Sequence, residues 1–133
     1  MQPTDKDSSV RVTDISATYK THTSIMPNLL AAYGLSGCDT VCAYFGIGKK
    51  TVIKVLKNKD IDLSALGFLD QSYEKCLFQG RNFILNCYNQ SKVTTLNDAR
   101  RKAWKHCITK NKSNAPKLET LPPTVEVYVR NKK

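Results

Sequence analysis

Apolar residues recur at helical spacing along most of the chain and alternate only near its two ends. In "VRVTDISATY", Val10, Val12 and, less cleanly, Ile15 alternate with polar neighbours, and the run is rich in β-branched residues. It reads as a strand or strand end. Ser24 then caps a helix through "IMPNLLAAY", with Pro27 in its first turn and Gly34 as the stop. Pro27 is tolerated there because the first helical N–H groups have no intrahelical acceptor. Asp39 or Thr40 caps a short helix, "VCAYF", which Gly46-Ile47-Gly48 breaks. A second helix starts at Lys49 and runs to about Leu56 or Lys57. Two helices joined by a glycine-bounded turn form a helix–hairpin–helix pattern.

Beyond the connector "DIDLSALGF", where a short helix is expected around Leu63 to Leu66, the apolar stripe returns. Tyr73, Cys76, Leu77, Ile84, Cys87 and Tyr88 share one face of a helix over about Ser72 to Tyr88. Gly80 lies on that stripe and marks a close helix–helix contact. "TLND" at Thr95 to Asp98 resembles a capping box with Asp in place of Glu. The helix it opens runs to about Ile108, with Leu96, Ala99, Ala103 and Cys107 on one face and Trp104 packing nearby. In "LPPTVEVYVRNKK", alternating Val125, Val127 and Val129 favour a strand. The Pro-Pro-Thr start equally suits a helix entry.

Length and charge narrow the function. The 133 residues suit one domain. We place a polar, disordered tail at 1–9 and a single domain at 10–133, with the helix–hairpin–helix at about 39–57 and a helical extension at about 70–133. No run of about 18 apolar residues occurs, so no membrane span is expected. The start "MQPTDKDSSV" lacks the apolar core of a secretory signal, which favours an intracellular location. Net charge is +10, from 21 basic and 11 acidic residues. That balance predicts a polyanionic partner, most often nucleic acid, although charge also serves solubility. Five cysteines without a CxxC pair, and two distant histidines, make a poor disulfide framework and a poor zinc site.

The turn carries the chemistry. Glycines allow a tight turn and close approach to another chain. The N–H groups at the start of the following helix carry partial positive charge and suit a phosphate. Ile47 is expected to plug into the core and hold the turn. Lys50, Lys54 and Lys57 fall at i, i+4 and i+7 on one stripe, opposite Val52, Ile53, Val55 and Leu56. Lys49 to Lys59 holds five lysines and no acid. Such a segment tracks a phosphate backbone without reading bases, so binding is salt-sensitive and weakly sequence-specific. A merely solvated basic face is the plainer alternative. Asp39 is open to two readings, a helix cap or a metal ligand. Arg100, Arg101, Lys102 and Lys105, followed by Lys110, Lys112 and Lys117, form a second basic cluster that could extend the surface.

"LSGCDTVCAYFGIGKKT" resembles the flap-endonuclease-like 5′-nuclease family of the PIN-like superfamily. Leu35, Gly37 and Asp39 match its Leu-x-Gly-x-Asp segment, and Gly46-Ile47-Gly48 follows the Asp at the same seven-residue offset. Thr40 departs from the usual Tyr. More of the chain, about residues 10–125, resembles metazoan proteins of mobile-element origin. The matching segments are "LSGCDTVCAYFGIGKK", "CYNQSKVTTLNDARRKAW" and "LPPT". The first resemblance implies that Asp39 is a ligand for Mg²⁺ or Mn²⁺. It also implies DNA-backbone contact by Gly46, Ile47, Gly48, Lys49, Lys50, Thr51, Lys54 and Lys57, and a monovalent cation bound by turn carbonyls. Two-metal phosphodiester hydrolysis needs several carboxylates. The family's other acids lie upstream of the matched segment, and Asp14, Asp60 and Asp62 match no ligand position.

The expectation is therefore a mainly α chain. It would be the incomplete C-terminal part of an α/β PIN-like (5′-nuclease) domain, with a helix–hairpin–helix and one or two short strands. Its function would be sequence-independent DNA binding by a metal-dependent, structure-specific nuclease-like fragment, inactive alone and nuclear. The alternative is a non-catalytic nucleic-acid-binding or protein-interaction module of mobile-element origin. Oligomeric state is left open.

Overall fold

Several of the described helices begin or end where a side chain or glycine supplies what the helix terminus lacks. The computed structural model describes residues 12–37, 44–110 and 115–130. Within them lie α1 (Ile15–His22), α2 (Met26–Ser36), α3 (Lys49–Asn58), α4 (Tyr73–Cys87), α5 (Leu96–Lys110), a 3-10 turn (Leu118–Thr120) and α6 (Val125–Arg130). The described residues are mainly helical and contain no strand.

The strand expected over Val10 to Tyr19 is corrected: the described part of that run is coil to Asp14, then α1. The cause is local. Asp14 is extended, and its Oδ1 accepts the Ala17 N–H at 3.0 Å, a helix N-cap that outweighs the β-branched composition. Asp14 is thus a cap and not a strand residue. The α2 cap position is Ile25 rather than Ser24, with Pro27 in the first turn. Helix α2 also passes Gly34 and stops at Gly37, whose φ of 105° suits glycine. Burial of Leu35 and Ser36 holds that extra half-turn.

Helix α4 is the hub, packing against α2, α3 and α5. Its Phe83 and Ile84 are fully buried beside Leu63 and Leu96. It closes in a Schellman motif: the Gln90 N–H reaches Leu85 O at 2.8 Å and the Asn89 N–H reaches Asn86 O at 3.0 Å. Asn89 supplies the left-handed residue, φ 57°. At α5 the Thr95 Oγ1 accepts the Asp98 N–H at 3.1 Å, as the capping-box reading expects. The shorter Asp carboxylate accepts the Thr95 hydroxyl at 2.7 Å.

The C-terminal segment, open between strand and helix, is a helix. Thr124 Oγ1 accepts the Val127 N–H at 3.3 Å, and the Asn97 side chain accepts the Val125 N–H at 3.3 Å. Tyr128 is buried, and its hydroxyl donates to Leu77 O at 2.9 Å. It crosses α4 at Gly80, where a Cβ would overlap the Tyr128 hydroxyl. The close contact expected at Gly80 is present.

The connector after α3 has no helix at Leu63 to Leu66, only turns. Two amide side chains hold it. Asn28 of α2 donates to Ile61 O at 2.7 Å and accepts the Leu63 N–H at 3.1 Å. Gln79 of α4 accepts the Ala65 N–H at 2.9 Å and donates to Asp62 Oδ2 at 2.7 Å. Asn28 thus pairs two backbone groups of this irregular segment and Gln79 a third, while the Gln79 amide also donates to the Ser64 hydroxyl at 3.4 Å.

Candidate nucleic-acid interface

The Gly-Ile-Gly stretch folds as the close spacing of its glycines demands. Tyr44 O accepts the Ile47 N–H at 3.2 Å, closing a four-residue turn. Gly46 sits third in it with φ 77°, the position where a type II turn needs a positive φ. Ile47 is buried in the core, as expected of the residue between the glycines. Tyr88, the C-cap residue of α4, donates its hydroxyl to Phe45 O at 2.9 Å and ties the turn to the hub helix. Burial pushes the Tyr88 phenol up to about 12, so it stays a donor at neutral pH. Tyr44 and Phe45 are not helical, which corrects the end of the expected "VCAYF" helix: the turn bond and the Tyr88 anchor take up both carbonyls.

Gly48 is extended and, lacking a side chain, makes no side-chain cap. Among the described residues, no acceptor meets the N–H groups of Lys49, Lys50 or Thr51. These groups and the positive end of the helix dipole therefore face outward. The first turn of α3 holds no acid. Lys49, Lys50, Lys54 and Lys57 are exposed, Thr51 is half-buried, and Gly46 and Gly48 are exposed. Val52, Val55 and Leu56 face the core, while Ile53, expected beside them, is 39% exposed. It lies at the flank of the buried arc, next to Lys49 one turn earlier. Lys49 Nζ lies 5.8 Å from the centroid of the Tyr33 ring. Among the described residues, the only ion pair is Arg101 with Asp98, at 3.1 Å, so no acid there neutralises the α3 lysines.

The other expected features separate from this one. Asp39 and Thr40 lie outside the described residues, as do Cys38 and Cys42. Among the described residues, no three His, Cys, Asp or Glu side chains gather as a metal group. Asp62 belongs to the connector, its carboxyl held below the usual range chiefly by the Ser64 side chain and N–H. At the turn, Gly46 and Ile47 carbonyls accept no bond from a described residue. They are the groups a monovalent cation would meet. Arg100 leaves the second basic cluster: its guanidinium donates to Pro122 O at 2.6 Å and Leu118 O at 3.1 Å, holding the segment that leads into α6. Lys102 and Lys105 remain exposed on α5. Cys87 is buried and its thiol is pushed up to about 12, so it is a packing residue.

Sequence reasoning missed Asn28, Gln79 and Tyr88 as the residues that position the interface. Their only local signal is a polar atom on an otherwise apolar helix face. No helix among the described residues is long and apolar enough to cross a membrane. No family model, curated protein or solved structure matches this chain.

Proposed function

We propose that the chain binds DNA through its phosphate backbone, without reading sequence, at the turn Gly46–Gly48 and along α3. One observation carries this reading. An uncapped, acid-free helix start follows a core-anchored glycine turn and continues as an exposed lysine row. Two contributions would act on a phosphate there. The free N–H groups of Lys49, Lys50 and Thr51 give directed bonds, and the ammonium groups of Lys49, Lys50, Lys54 and Lys57 give screened charge. Ammonium and backbone N–H donors that meet phosphate oxygens set position on the duplex and carry no sequence information.

The finer reading is a nuclease-like module of PIN-like ancestry, with Asp39 holding Mg²⁺ or Mn²⁺ when partner carboxylates are supplied. It rests on the Leu35, Gly37, Asp39 and Gly-Ile-Gly spacing alone. Incubation with nicked or flapped duplex and Mn²⁺ tests it: cleavage that disappears in Asp39→Ala supports the metal role. Binding without cleavage leaves a non-catalytic module.

The DNA reading itself is tested by fluorescence anisotropy on two duplexes of unrelated sequence. Both should bind alike, and Lys50→Glu with Lys54→Glu should weaken both alike. A large preference for one duplex would refute sequence independence.

A further inference from the structure

A second surface lies beside the lysine row and has the opposite character. Helix α2, "MPNLLAAYGLS", contains no charged residue. One face, with Ala32 and Leu35, is buried in the core. The other carries Met26, Leu29, Leu30 and Tyr33, at i, i+3, i+4 and i+7. With Val52 and Ile53 of α3 these residues line a groove of about 470 Å³. An apolar helix face is normally buried. Here Leu30 is 83% exposed and Tyr33 41%. Lys49 stands in the α3 wall of the groove, and Lys50 and Lys57 follow on the outer side of that helix. Neither helix carries an acid.

We propose that this groove receives an acidic amphipathic helix of a partner protein. Its apolar side chains would seat on Leu30, Tyr33 and Ile53, and its carboxylates would face Lys49 and the lysines behind it. Three observations select this occupant. The walls are two helices, so the groove has no strand edge to offer. An occupant must satisfy its own backbone, as a helix does. The floor and the α2 wall are apolar, so an occupant without apolar side chains, such as duplex DNA, gains nothing by covering them. The charged residue of the lining is Lys49, neither wall helix carries an acid, and the whole chain has a net charge of +10, which repels a second copy and attracts an acidic segment. The inference stands independently of the DNA reading.

The test is a titration of the isotope-labelled full chain with a synthetic helical peptide bearing leucines on one face and glutamates elsewhere, in the absence of nucleic acid. A comparator peptide keeps the leucines and replaces the glutamates with lysines. The glutamate peptide should bind saturably and shift the amide signals of Leu30, Tyr33 and Ile53, and the comparator should not. Leu30→Ser with Ile53→Ser should weaken the glutamate peptide by about tenfold or more. Both positions are exposed, and duplex binding by this variant should be unchanged. Equal binding of the two peptides, or full binding by the variant, would overturn the proposal. So would concentration-dependent dimerisation, a single-stranded oligonucleotide or an anionic vesicle producing the same shifts, since each assigns the groove to another occupant.

Discussion

Gly80→Ala sets two effects of opposite sign against each other. In the middle of α4, alanine is favoured over glycine by about 1 kcal/mol. Against this, the new Cβ would overlap the Tyr128 hydroxyl and stand 3.3 Å from Leu35 Cδ2, with the ring carbon Cζ at 3.5 Å. Overpacking of a filled contact costs about 1–3 kcal/mol. Displacing the hydroxyl also breaks its 2.9 Å bond to Leu77 O, about 1 kcal/mol. The net expectation is a loss of about 1–3 kcal/mol, read as a lower urea midpoint at constant slope. Tyr128→Phe removes the atom that clashes. In the Tyr128→Phe background the alanine then meets only ordinary contact distances to the ring and a small shift of Leu35. Gly80→Ala should be neutral there, or stabilising by up to about 1 kcal/mol. The cycle should therefore show a coupling of about 1–4 kcal/mol. Stabilisation by Gly80→Ala alone, or an equal loss in both backgrounds, would refute the placement of α6 against α4.

The remaining predictions concern the connector, the C-terminal latch and pH. Gln79→Leu should cost about 1–3 kcal/mol in urea unfolding, because it leaves the N–H of fully buried Ala65 without its acceptor. Arg100→Ala should cost about 1–2 kcal/mol through its two carbonyl bonds, whereas Lys102→Ala and Lys105→Ala should stay within about 0.5 kcal/mol. Burial raises Cys87 from 9.0 and Tyr88 from 10.0, both to about 12. The folded chain thus holds these protons more tightly than the unfolded chain. The stability they contribute is complete below pH 9 and is lost as pH rises towards 12. A thermal-unfolding series across that window should fall steadily, and a flat profile would contradict the burial of both groups.

What was legible in the chain was local. Helix α3 begins at Lys49 as read, because Gly48 and the lysine–valine pattern act within one turn. Helix α4 and the Thr95 cap follow for the same reason. The strand expectation near Ile15 rests on β-branched composition, and the Asp14 cap, three residues from its partner, overrides it. The alternating valines near Val127 suit either element, and Tyr128 decides them: its hydroxyl and ring need Leu77 and Gly80, about fifty residues upstream. Arg100 looked like another surface cation because its acceptors, Leu118 and Pro122, lie beyond the end of its own helix. Asn28 and Gln79 were invisible as positioning residues for a similar reason, since their partners are backbone groups of a connector with no regular pattern. Local caps and stripes are written in consecutive residues; long-range pairing of buried polar atoms is not.

The central claim is that the α3 lysines meet phosphates, and salt dependence tests it most directly. If Lys49, Lys50, Lys54 and Lys57 each neutralise one phosphate, log K against log salt should have a slope of about −3 to −4. Lys50→Glu with Lys54→Glu should lower affinity for duplex DNA and flatten that slope by about two units. Circular dichroism should be unchanged, since both side chains are exposed. Unaltered affinity and slope in this variant at low salt would contradict the account and move any DNA contact away from α3.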